Sequence, residues 1–102
     1  MPEKDFIIWL DARAYIKVDY VTVRGNIVSF VVRLMLVEDT GDVNVARYDT
    51  AHGAPHLDVN GRRRGQIRKV WYRDVRPEQV LAAAIADFKQ NYEDYIAEFN
   101  RN

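Results

Sequence analysis

The sequence predicts an α+β fold, an antiparallel meander of four or five strands with one long C-terminal helix packed across it. Three observations predict it. Apolar and polar residues alternate from Ala14 to Thr50, short polar segments containing glycine interrupt the alternation, and the apolar period lengthens to that of a helix in the last quarter of the chain. The 102 residues suit one domain spanning residues 1–102, large enough to bury roughly 60 to 70% of the surface its unfolded chain exposes.

Phe6 to Leu10 reads as an edge strand or a short segment packed over the sheet. From Ala14 to Val23, Ile16, Val18, Tyr20 and Thr22 form one alternate set, with Lys17 and Asp19 on the other side. Arg24-Gly25-Asn26 supplies the next turn, because Gly and Asn accept the positive φ of a tight hairpin. Ile27 to Val37 is the clearest strand and is expected at the centre of the sheet, with Val28, Phe30, Val32, Leu34 and Leu36 facing the helix. The polar run Glu38 to Asp42 closes a hairpin. Val43 to Thr50 follows, with Val43, Val45 and Arg47 on one face and Ala46 and Tyr48 on the other. Leu57 to Val59 and Gln66 to Tyr72 flank Asn60-Gly61, a dipeptide typical of two-residue hairpins and followed here by three arginines, but the two arms are unequal, which leaves a longer and looser turn open.

Leu81, Ile85, Phe88, Tyr92, Tyr95 and Phe99 are spaced by four and three, which draws one apolar stripe along a helix of about five turns. Pro77 and Glu78 suit its first turn, where a missing N–H costs nothing and a carboxylate meets the positive end of the helix dipole. Asp87, Lys89, Gln90, Glu93 and Asp94 are expected on the solvated side. The stripe should cover the sheet; its heptad spacing, with Trp9 and Trp71 as further apolar area, also raises a homodimer.

The sequence contains no cysteine, which removes disulfide scaffolds, zinc ribbons and thiol nucleophiles and fits a cytoplasmic protein. No apolar run approaches the roughly 20 residues that cross a bilayer, so no membrane partner is expected. Phosphate-loop, dinucleotide, nucleophile-elbow and His-Glu-x-x-His motifs are missing, and with them any cofactor expectation. Net charge is zero, but residues 44–76 carry eight basic and three acidic side chains. Arg62, Arg63, Arg64, Arg68 and Lys69 concentrate that excess, so attraction to a polyanion would be local, and these five are the candidate nucleic-acid contacts.

The candidate chemistry lies in Arg47-Tyr48-Asp49-Thr50-Ala51-His52-Gly53-Ala54-Pro55-His56-Leu57-Asp58, which holds both histidines of the chain. Gly53 and Pro55 argue against helix and for a reversal. His52 and His56 should then flank the mouth of a turn on the same side, with rings within about 8 Å. Three readings stay open. His52 and His56 form an acid–base pair acting on a phosphodiester, with Arg47 as electrostatic support and Tyr48 and Asp49 orienting the rings. Alternatively His52 and His56 bind a metal together with Asp49 or Asp58, as in a metal-dependent hydrolase. In the third, the histidines only anchor a tight loop.

The run RYDTAHGAPHLDV, followed by a Gly-Arg turn, a Lys-Val-Trp strand and a closing helix with an aromatic stripe, resembles a small prokaryotic family sharing R-Y-D-x-A-H-G-x-P-H-x-D. More distantly it is similar to the TumE-type toxins of toxin-antitoxin modules, small α+β proteins directed at RNA. The matching positions are Arg47, Tyr48, Asp49, His52, Pro55, His56 and Asp58. The resemblance implies a toxin-like, metal-independent endoribonuclease, with RNA as substrate and an antitoxin protein as partner. A non-enzymatic nucleic-acid or protein binding module with a structural His loop is the alternative.

Overall fold

The alternation of apolar and polar residues commits each strand to two unlike faces, and one helix can cover only one of them. The computed structural model describes residues 3–51 and 53–102. It contains β1 (Glu3–Asp11), β2 (Ala14–Val23), β3 (Asn26–Leu36), β4 (Val43–Asp49), β5 (His56–Gly61), β6 (Gly65–Trp71) and α1 (Pro77–Arg101). The six strands form one antiparallel sheet in chain order. The fold is therefore α+β as expected, with six strands rather than four or five: the Phe6 segment is a full edge strand, and each flank of the Asn60 region pairs.

Register assigns the faces. Val18, Val32, Tyr48 and Leu57 stand opposite one another across β2 to β5, as do Ile16, Leu34, Ala46 and Val59. All eight are buried, under a helix that lies over β3, β4 and β5 and inserts Val80, Leu81, Ala84, Phe88, Ile96 and Phe99. Pro77 and Glu78 occupy the first turn of α1, as the sequence suggests. The helix runs 25 residues, longer than the five turns its stripe marks, because it starts at Pro77, a turn before Leu81, and runs on past Phe99 to Arg101. The stripe covers the sheet, as expected, and so does not form the homodimer surface that its heptad spacing also raised.

Four local expectations fail for identifiable reasons. Val28 is 48% exposed, since a register shift at Val21/Thr22 falls beside it and the hairpin end of β3 does not share the burial of Phe30 and Val32. Val45 and Ala46 are both buried because a bulge between Leu34 and Met35 of the partner strand places an extra residue in β4. The β2–β3 turn sets Arg24 itself at φ 54° beside Gly25 at 79°, the pairing of a two-residue hairpin; Asn26 already belongs to β3. Asn60 and Gly61 sit inside β5 rather than at the turn, and the hairpin takes the longer form that its unequal arms allow, turning on Arg62, Arg63 and Arg64 and closing at Gly65, φ 74°. Gly61 serves another need, since a Cβ there would meet Asn102 at 2.7 Å.

Candidate functional site

Side chains opposite the core residues point to the face that no helix covers. Two rows cross it. One runs Asp5, Asp19, Val31, Asp49, His56, Trp71 from β1 to β6; the next runs Ile7, Lys17, Arg33, Arg47, Asp58, Lys69. Asp5 and Asp19 stand directly opposite as like charges, as do Lys17, Arg33 and Arg47, and the charges are balanced between the rows and at the β4–β6 end: Lys17 pairs with Asp5 and Asp19, Arg33 with Asp19, Arg47 with Asp49 and Asp58, and Lys69 with Asp58. The Asp5 carboxylate, accepting from Lys17, moves the lysine's ionisation further upward.

The β4–β5 end of these rows is the candidate site. Asp49 and His56 are the pair that closes the loop 50–55, and Arg47 and Asp58 are the next pair on the same face, beyond Tyr48 and Leu57. The loop is tied back by its own polar groups. Ala51 N–H donates to Asp49 Oδ1 (2.9 Å), Gly53 N–H to the Thr50 carbonyl (3.3 Å), and Tyr72 N–H to the Pro55 carbonyl (2.8 Å). The reversal predicted from Gly53 and Pro55 is present, with Gly53 at φ 103°.

Asp49, His56 and Asp58 are nearly sealed from solvent, at 3%, 1% and 4% exposure, although they lie on the helix-free face. Trp71 contributes the seal, its ring 4.8 Å from that of His56. His56 Nδ1 stands 3.1 Å from the Ala54 carbonyl, and a carbonyl only accepts, so Nδ1 carries a proton. Nε2 faces Asp49 Oδ1 at 3.1 Å and Asp58 Oδ2 at 3.5 Å. Arg47 bridges the two carboxylates, with Nη2 donating to Asp58 Oδ2 at 3.2 Å and Nε 2.6 Å from Asp49 Oδ2. Despite that proximity the Arg47 Nε–H is not aimed along a hydrogen bond, and Asp58 Oδ1 also lacks a hydrogen-bond donor, with Lys69 Nζ only approaching to 3.5 Å. Buried atoms left this way cost roughly 1–3 kcal/mol each.

The motif thus brings Arg47, Asp49, His56 and Asp58 to one point. Tyr48 goes elsewhere. It enters the core on the other face and donates to Asp87 at 2.7 Å, so it cannot orient His56. His52, with the spacing expected between the two rings, lies outside the described residues.

The basic segment divides as well. Arg62 is held by Glu38 and by the Asn100 side chain, and its charge draws the Glu38 carboxyl below its usual range. Arg68 reaches across to Glu98 of α1. Lys69 belongs to the candidate site. Arg63 and Arg64 cap the hairpin, their backbone N–H groups donating to the Asn102 carbonyl. The four arginines and Lys69 therefore do not form one continuous patch.

Residues that the sequence did not assign to the histidine motif complete the surroundings. Trp71 is overlaid by Arg73, 4.6 Å from its ring, and by Lys69 Nζ at 5.0 Å. A pocket of about 650 Å³ adjoins the β4 end of the site through Thr50 and Ala51; it carries Glu3, Asp5 and Asp19 against Lys4. No helix among the described residues is long and apolar enough to cross a membrane. No curated protein and no solved structure matches the chain. A family model described as a domain of unknown function, DUF7718, matches residues 1–102, and the chain belongs to that family.

Proposed function

We propose that this member of the DUF7718 family is an RNA-directed protein, a toxin-like endoribonuclease whose centre is the Arg47, Asp49, His56, Asp58 and Lys69 cluster of the helix-free face. The observation that supports this most is Trp71. It joins the motif residues to a basic, aromatic strand edge by packing its ring at a tilt against His56 while lying beneath Lys69 and Arg73. A half-exposed aromatic flanked by cations is what single-stranded nucleic acid uses, bases stacking on rings while phosphates meet the cations. The strand would run along β6, past Arg63, Arg64 and Arg73, rather than into the pocket beside β1, whose Glu3, Asp5 and Asp19 repel phosphate.

Chemistry at the cluster is electrostatic first. Side chains of Arg47 and Lys69 are 40% and 29% exposed while the acids beneath them are buried, so these cations are what a scissile phosphate would meet. His52, on the sequence pattern alone, is the remaining candidate for proton transfer. His56 positions the carboxylates, because both of its ring nitrogens are engaged.

Total RNA and defined single strands incubated with the protein, with and without divalent metal, provide the test. His52→Ala and Arg47→Ala should each lower cleavage by roughly 10² or more, and Trp71→Ala should weaken binding about tenfold. Absence of cleavage under all conditions sinks the enzyme. The near-complete burial of His56 favours a second reading, a binding module with a structural His loop. In that case affinity falls with salt as phosphate contacts are lost, while His52→Ala changes nothing.

A further inference from the structure

We propose that Asp49, His56 and Asp58 form a binding site for one divalent transition-metal cation. Metal binding by this set does not require RNA; the metal deepens the RNA reading by supplying a cofactor to the same site.

The argument starts from His56. Its Nδ1–H is spent on the Ala54 carbonyl, the contact that metal-ligating histidines commonly make to fix tautomer and ring orientation. Its Nε2 then points at oxygen atoms of two ionisable carboxyl groups, 3.1 and 3.5 Å away. All three neighbours of the ring are acceptors. A cation on Nε2, either a proton or a metal ion held between the ring and those oxygens, completes this arrangement.

Distances allow it. A tetrahedral ion with ligands at about 2.0–2.2 Å separates those ligands by roughly 3.4 Å, and one donor atom from each of the three residues lies within 4.8 Å of the others. The ligand set, one imidazole and two carboxylates, suits zinc or manganese. A second observation points the same way. Asp58 is sealed from solvent, its side chain 6% exposed, yet while Oδ2 faces His56 its Oδ1 accepts no hydrogen bond and meets only the Lys69 ammonium at 3.5 Å, an unfinished state that a metal ion displacing Lys69 would complete.

Arg47 and Lys69 now balance the two acids, and a divalent cation must displace them. Both have partly exposed side chains and can swing outward. Metal and these cations are therefore competitors, which gives the inference a signature that a structural cluster lacks.

Untagged full-length protein, stripped with chelator, is titrated with Zn²⁺ and separately with Mn²⁺ by calorimetry, and its thermal midpoint is followed with each ion. One equivalent should bind, raising the midpoint. Asp58→Asn should weaken binding about tenfold or more. Lys69→Met, which removes only the competing ammonium, should tighten it about tenfold. Failure of both ions to bind the wild type and Lys69→Met overturns the proposal. So does metal binding that is unaffected by Asp58→Asn in a variant whose circular dichroism shows a native fold. Neither outcome depends on RNA cleavage, so failure of metal binding leaves the RNA reading to its own test.

Discussion

On the helix-covered face Asp87 accepts hydrogen bonds from the Tyr48 and Tyr95 hydroxyls and from the Asn91 amide. On the helix-free face Asp49 and Asp58 are held by Arg47, Lys69 and His56. Both arrangements gather several donors around carboxylates, Asp87 part-buried and Asp49 and Asp58 buried, yet they differ in kind. Asp87 is surrounded by neutral donors that finish its hydrogen bonding, inside an aromatic group of Tyr48, Tyr72, Phe88 and Tyr95. The other cluster sets charge against charge and leaves Arg47 Nε and Asp58 Oδ1 without hydrogen bonds. A satisfied network fixes a fold, whereas an unfinished one in a native protein asks for an explanation. The difference separates the stabilising face of the sheet from the one available for chemistry.

The largest effect should come from the covered face. Phe88 is fully buried and contacts both Tyr48 and Tyr95. Phe88→Ala should cost about 3–5 kcal/mol in urea unfolding, from lost burial plus the cavity left behind. A loss below about 1 kcal/mol would mean that α1 is not the lid of the core. Asp58→Ala on the open face should cost less, about 3 kcal/mol, because it strands Arg47, Lys69 and His56 together but the first two can turn to solvent. Equal costs for the two variants would erase the distinction drawn between the faces.

How much of this is legible in the sequence follows from the same asymmetry. Period-2 runs mark β2, β3 and β4, and the four-and-three spacing marks α1, because a one-sided core imposes a strict rhythm on every element touching it. The rhythm fails where the chain inserts a residue: the bulge that buries Val45 beside Ala46 leaves no mark in the pattern. Arg62, Arg63 and Arg64 are visible as charge, but Arg62 and Arg68 meet Glu38 and Glu98, partners 24 and 30 positions away. Asp87 reads as a solvated helix residue; its tyrosine partners are visible only once Tyr48 is known to face the helix. The motif does name Arg47, Asp49, His56 and Asp58. Their meeting depends on the Asp49–His56 register, which Gly53 and Pro55 permit without specifying, and Trp71 joins them only through the β5–β6 pairing.

The smallest of the expected effects separates the faces by pH. Burial, then donation to Asp87, keeps the Tyr48 hydroxyl protonated far above its ordinary value of 10.0, and the same two causes act in the same order on Tyr95. In the unfolded chain both tyrosines ionise near pH 10. Below that pH both states hold the protons and the stabilisation is complete. Above it the unfolded state alone releases them, so stability falls as pH rises, by up to about 1.4 kcal/mol per pH unit for each tyrosine held protonated. Tyr48→Phe removes one hydrogen bond to a carboxylate, at about 1.5 kcal/mol near neutrality. It should also remove one of these alkaline contributions, so the wild type and the variant converge in stability as pH climbs past about 10. Urea midpoints measured between about pH 7 and pH 11 would show the gap narrowing; a constant gap would mean that Tyr48 ionises as readily in the folded protein as in the unfolded chain, and that the Asp87 network is not the closed, neutral-donor arrangement described for the covered face.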